Sequence, residues 1–177
     1  MVKFLIFGAL LLASAAALSG CGVRGPLETP PGTTDTGNHT DDGSTLIPLP
    51  FPYQLYDTVF DTVSVGSNGQ LTFGIVSDSA SPSCIPFSGP TYVIAPYWTD
   101  QCTTSCWFTT CSGCGIFTST SGTAPHRIFN IEYRTVYRDS GSAGVPLNYE
   151  VRLFEGQMGF ELVGALLFFL GEGDARG

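Results

Sequence analysis

Hydrophobic and polar residues alternate with a period of two through most of the chain from Leu46 onward. In RIFNIEYRTVY, residues 127–137, Phe129, Ile131, Tyr133 and Tyr137 share one face, and Asn130, Glu132 and Arg134 share the other. In NYEVRLF, residues 148–154, Tyr149, Val151 and Leu153 alternate with Asn148, Glu150 and Arg152. Such strands bury one face and wet the other. The connecting RDSGSAGVP, 138–146, is turn chemistry, so the two strands are predicted to form a hairpin. Glu132 and Arg134 would then face Arg152 and Glu150 as solvated cross-strand pairs, each contributing about 0.2–1 kcal/mol. Earlier strands are predicted near 53–56, 58–65, 69–76, 91–96 and 115–119. Ser67-Asn68-Gly69 between two apolar runs signals a tight turn, because Asn and Gly tolerate positive φ. Pro48, Pro50 and Pro52 make a stiff extended lead-in. Many short strands at close spacing predict an all-β fold, an antiparallel β-sandwich with one core over residues 46–177.

The N-terminus departs from this pattern. Lys3 precedes an apolar run of 15 residues, Phe4 to Leu18. A bilayer span needs about 20 residues, so the run suits a signal peptide over residues 1–20. It ends in Leu18-Ser19-Gly20-Cys21, which resembles a bacterial lipobox. The resemblance implies diacylation of the Cys21 thiol, cleavage before it and acylation of the new amino group. Two or three acyl chains anchor stably where one is marginal. Gly22 rather than Asp follows the cysteine, which implies the outer membrane. Cys21-Gly22-Val23-Arg24-Gly25-Pro26-Leu27 with Pro30-Pro31 also resembles the start of small outer-membrane lipoproteins that assist maturation of the lipopolysaccharide translocon. That implies an alternative role in envelope assembly, acting through Gly22, Arg24, Gly25, Pro26 and Leu27. Without the resemblance, the segment is a tether.

Residues 28–45 are rich in Thr, Gly, Pro and Asp, so 21–45 is predicted to be a lipidated N-terminus and disordered linker. A linker of roughly 20–25 residues, extended at ~3.5 Å per residue, reaches about 80 Å. DTGNHTDDG, 35–43, lacks the alternating ligands and closing glutamate of an EF-hand and is expected to be solvated. Seven basic against fifteen acidic residues give a net charge of −8, which excludes nucleic acid and anionic lipid as favoured partners.

Four stretches, 51–74, 94–100, 115–134 and 148–163, resemble a nidogen-like extracellular domain of secreted bacterial proteins. Its marks stand at Val65 to Gly69, Pro96 to Asp100 and Leu153 to Gly156. The resemblance implies an extracytoplasmic β-sandwich used in adhesion, with no catalytic residues to carry over. The chain departs from the family after FELV: GALLFFLGEGDARG stands where a Tyr-Gly and a closing strand are expected, so a truncated or divergent closure is expected.

QCTTSCWFTTCSGCG, 101–115, holds Cys102, Cys106, Cys111 and Cys114, and Cys84 lies upstream. In an oxidising envelope these five are disulfide candidates, with connectivity open and one left over. Cys111-Ser112-Gly113-Cys114 has redox-like spacing, but no strand-then-helix context surrounds it. The spacings are cramped for tetrathiolate zinc, so no metal or cofactor is expected. Asp100 beside Trp98 suits a cation or a sugar ring less well than a strand end. The function expected is non-enzymatic: an outer-membrane lipoprotein for adhesion to a protein or glycan ligand.

Overall fold

The computed structural model describes residues 32–83, 92–138 and 144–164. Ten strands run in chain order: β1 Thr34–Asp35, β2 Ser44–Leu55, β3 Thr58–Gly66, β4 Gln70–Phe73, β5 Tyr92–Ile94, β6 Gln101–Cys102, β7 Gly115–Ser121, β8 Ile128–Tyr137, β9 Val145–Phe154 and β10 Phe160–Val163. All pairings are antiparallel, and no helix occurs among the described residues. One sheet has the order β1-β7-β8-β9-β10, with β6 pairing the end of β8; the other has the order β2-β3-β4-β5.

The alternation explains the sandwich. Ile131, Tyr133, Tyr149, Val151 and Leu153 of the larger sheet meet Val63, Val65, Leu71 and Phe73 of the smaller one in a single core. Burying each such side chain stabilises by roughly 1.5–3 kcal/mol. Tyr133 and Tyr149 stand directly opposite in the β8–β9 ladder and stack at 4.7 Å. Burial pushes both phenols well above their ordinary pKa. Two tyrosine hydroxyls bridge the sheets at opposite ends. Tyr133 donates to the Gln70 carbonyl at 3.2 Å, and Tyr53 reaches the Gly159 carbonyl at 3.2 Å.

Residues 32–45, predicted as linker, belong to the fold. Thr33 N–H donates to the Thr118 carbonyl and Thr36 N–H to that of Ile116, so β1 extends the sheet beside β7. Gly32 lies across β7 so closely that a Cβ would sit 2.5 Å from that of Phe117. Its N–H donates to Glu132 at 2.7 Å, and Arg134 donates to its carbonyl at 3.1 Å. The remaining linker, the signal peptide, Cys84 and the C-terminal tail lie outside the described residues.

The hairpin pairs form in a different register. Glu132 faces Glu150, Arg134 faces Asn148, and Asn130 faces Arg152. Each glutamate takes its arginine from two positions along its own strand instead, Arg134 at 2.7 Å and Arg152 at 2.7 Å. These carboxylates are not solvated: Glu132 and Glu150 are 9% and 2% exposed. Burial pushes Glu132 up in pKa, but hydrogen bonds from Arg134, Asn148 and Gly32 outweigh it and hold the carboxyl below its ordinary value. The prolines also sit inside a strand rather than before it. β2 is an edge strand that pairs only with β3, and its register shifts between Pro48 and Tyr53, where missing N–H groups are tolerated.

Candidate functional site

The densest local chemistry lies between β6 and β7. There the cysteines join as Cys102–Cys106 and Cys111–Cys114, two small staples side by side. β6 carries Cys102 onto the end of β8, and β7 starts immediately after Cys114. Both sulfurs are buried against Val136, with Trp107 packed on the same cluster. All four cysteines are joined as disulfides, so they act here as covalent staples of the loop.

Between the staples the chain reverses. Thr109 N–H donates to the Cys106 carbonyl at 2.9 Å, and the two residues inside this turn, Trp107 and Phe108, have φ of 47° and 62°. Two successive left-handed residues mark a type I′ turn, whose ordinary sequence is Asn-Gly. A residue with a Cβ pays roughly 1–2 kcal/mol in that region. Trp107 offsets this by packing, and its carbonyl accepts from Gly144 N–H at 3.0 Å. Thr109 adds a hydroxyl bond to the Gly144 carbonyl at 2.8 Å. Phe108 has no such return: it is 97% exposed. The turn carries no Asn or Gly, so the sequence gives no signal for it.

The same end of the sandwich holds a buried polar network. Asn68, fully buried in the β3–β4 turn, accepts from Gln101 N–H at 2.9 Å and donates to Asp42 at 3.0 Å and Asp78 at 2.9 Å. Gln101, also fully buried, accepts from the Thr135 hydroxyl at 2.8 Å and donates to the Tyr97 carbonyl. Two of the family marks therefore meet in space: Thr99 N–H donates to the Asn68 carbonyl at 3.3 Å. Asp100 closes this corner as a strand end, its carbonyl accepting from Arg138 N–H at 3.0 Å and its carboxylate 3.6 Å from the Arg138 guanidinium. The Trp98 indole donates to the Ser79 carbonyl at 2.7 Å.

His39 ties β1 to the stapled loop. Its Nδ1 lies 2.9 Å from the Cys114 carbonyl and its Nε2 2.8 Å from the Asp35 carboxylate. Both neighbours only accept, so both nitrogens donate at once only in the imidazolium. The Asp35 hydrogen bond accordingly raises the His39 pKa above 6.5. Composition had placed both residues in the linker, which concealed the pair.

Among the sequence-predicted sites, the four clustered cysteines come together. Cys21, Leu18, Ser19, Gly20, the head residues Gly22 to Leu27, and Cys84 lie outside the described residues. No solved structure matches the chain. The family model described as NIDO related matches residues 25–163, beginning seven residues before Gly32 and stopping at the last residue of β10. It covers both sheets, the segment 32–45 and the stapled loop, and it bears out the nidogen-like resemblance: the chain belongs to the NIDO-related family.

Proposed function

We propose that the chain is a non-enzymatic outer-membrane lipoprotein whose NIDO-related sandwich serves adhesion, contacting protein or glycan partners through its loops. The family match supports an extracellular interaction domain. The Leu18-Ser19-Gly20-Cys21 motif supports the lipid anchor. The observation that carries the proposal is Phe108, almost fully exposed at the tip of a doubly stapled turn. A rigid aromatic loses little entropy on binding, and Thr110 and Ser112 are exposed on the same loop.

Cells carrying the full chain are compared with cells carrying Phe108→Ser for attachment to protein-coated and glycan-coated surfaces. The expected result is reduced attachment for the variant with an unchanged melting temperature. Attachment no greater than that of cells lacking the chain overturns adhesion. The intact mass from envelopes is expected to match residues 21–177 plus acyl chains; retention of Met1 without acylation overturns the anchor. Co-purification with the lipopolysaccharide translocon that depends on Arg24, Gly25 and Pro26 would favour the assembly role instead.

A further inference from the structure

Far from the stapled loop, β2 and β3 are joined by the two-residue turn Tyr56-Asp57, between the paired residues Leu55 and Thr58. Tyr56 has φ of 54° and is 66% exposed. Glycine adopts this conformation freely, whereas tyrosine is strained there. Packing does not explain the choice, because the ring lies mostly in solvent; its described ring neighbour is Tyr92, with centroids 6.4 Å apart. Strain retained at an exposed position points to what the side chain does.

Its surroundings are polar and fixed. Thr58 donates its hydroxyl to the Tyr92 oxygen at 2.8 Å, and Tyr92 donates its own to Asp57 Oδ1 at 2.8 Å. The Tyr92 ring is held edge-on by Phe60 at 5.1 Å, and Phe60 packs on Phe73 of the core at 5.3 Å. A chain of contacts thus runs from the core to one oxygen of an exposed carboxylate. The Tyr92 hydrogen bond lowers the Asp57 pKa, which keeps this carboxylate ionised. Gln54 Nε2 donates to the Tyr56 carbonyl at 3.0 Å and fixes the turn from the other side.

We propose that this turn is a binding subsite for one uncharged pyranose unit of a glycan. A pyranose presents a face of C–H groups and a rim of hydroxyls. The C–H face meets the electron-rich face of Tyr56, and the second oxygen of Asp57 accepts from a rim hydroxyl. An acidic sugar would meet the carboxylate and a chain of net charge −8, so neutral sugars and N-acetylated hexosamines are the class that fits. A purely apolar protein pocket would have to bury the charged Asp57 carboxylate with no cation beside it, which is unfavourable. Phe108 has no such carboxylate on the neighbouring residue, so the two tips differ in chemistry.

The subsite rests on the domain being a contact module, but the two ideas fail separately. The full chain, in a non-glycosidic detergent, is titrated with methyl glycosides of glucose, galactose, mannose and N-acetylglucosamine and followed by saturation-transfer NMR. The expected result is transfer to the C–H protons of one sugar face, with a Kd on the order of 1–10 mM. Tyr56→Ala should weaken this roughly tenfold, Asp57→Asn by a few-fold, and Tyr56→Trp should retain it. Phe108→Ser should leave it unchanged even where it reduces attachment. No transfer to any of these sugars, or equal transfer in Tyr56→Ala, overturns the subsite and leaves the stapled loop untouched. If Tyr56→Ala fails to fold, Asp57→Asn and Tyr56→Trp decide by the same criterion. Binding of a polypeptide at Tyr56 with no sugar transfer also overturns it.

Discussion

Two turns of the smaller sheet close opposite ends of the sandwich on opposite terms. The β3–β4 turn, Ser67-Asn68-Gly69, is buried, and its side chains bond to Gln101, Asp42 and Asp78. The β2–β3 turn, Tyr56-Asp57, is exposed, and its bonds stay within the turn and Tyr92. Both contain a left-handed residue, Gly69 at φ 80° and Tyr56 at φ 54°. At the buried turn the backbone dictates the residue. At the exposed turn a residue with a side chain is kept against the preference of the backbone.

Exchanging the two residue types should separate the ends most sharply. Gly69→Ala adds a Cβ that overlaps the Tyr97 carbonyl oxygen and imposes left-handed strain. A loss of about 3–5 kcal/mol is expected, read as a shift in urea midpoint at constant slope. A loss below about 1 kcal/mol would show that the buried turn can relax.

Opening a staple is the next largest change. Replacing Cys111 and Cys114 together by serine should lower stability by about 2 kcal/mol, the entropy expected of a loop this short. Hydrogen exchange should rise around 102–114 while the Tyr56 turn keeps its protection. Uniform loosening would mean that the two ends are not independent.

The His39–Asp35 latch should give a smaller and pH-dependent effect. His39 has a raised folded pKa, so its contribution is complete below 6.5 and fades as pH climbs through the folded value. Asp35 has a lowered pKa, chiefly through the Gly37 N–H and then His39, so its contribution is present above 3.8 and fades as pH falls through the folded value. The latch is therefore strongest between these limits. Both side chains are more than 40% exposed, so its worth stays below about 1 kcal/mol. His39→Gln should flatten the fall in melting temperature as pH rises above 6.5; an unchanged slope would place the dependence elsewhere.

The smallest effect is expected at the exposed turn. In Tyr56→Gly the relief of strain and the gain in unfolded-chain entropy nearly cancel, leaving stability within about 0.5 kcal/mol of the parent. A thermal melt showing a large loss would mean that the ring supports the fold.

The sequence made the sheets legible where burial alternates. Ile131, Tyr133, Val151 and Leu153 fall on the core face as their period predicts. The register was not legible. The observed pairing is displaced by two residues from the predicted one, and a two-residue slip keeps every side chain on its face while changing its partner. β1 was missed because it contributes main-chain hydrogen bonds rather than apolar side chains, and Asn38, 2% exposed, is buried by its hydrogen bonds. The cysteine staples were legible as a cluster but not as pairs. The break between the strands predicted near 53–56 and 58–65 falls at the Tyr56-Asp57 turn, but the left-handed Tyr56 was not legible, and the Trp107-Phe108 turn carries no Asn or Gly to signal it.

The clamp on Gly32 has a consequence for the proposed lipid anchor. If Cys21 carries the proposed anchor, the segment between anchor and fold ends where Glu132 and Arg134 grip the Gly32 backbone, eleven residues on rather than twenty-five. Its full extension is then about 40 Å instead of about 80 Å. Halving the radius shrinks the searchable volume about eightfold and raises the local concentration of any membrane-bound partner in proportion. Two hydrogen bonds to one glycine would thus favour neighbours on the same surface over partners at a distance.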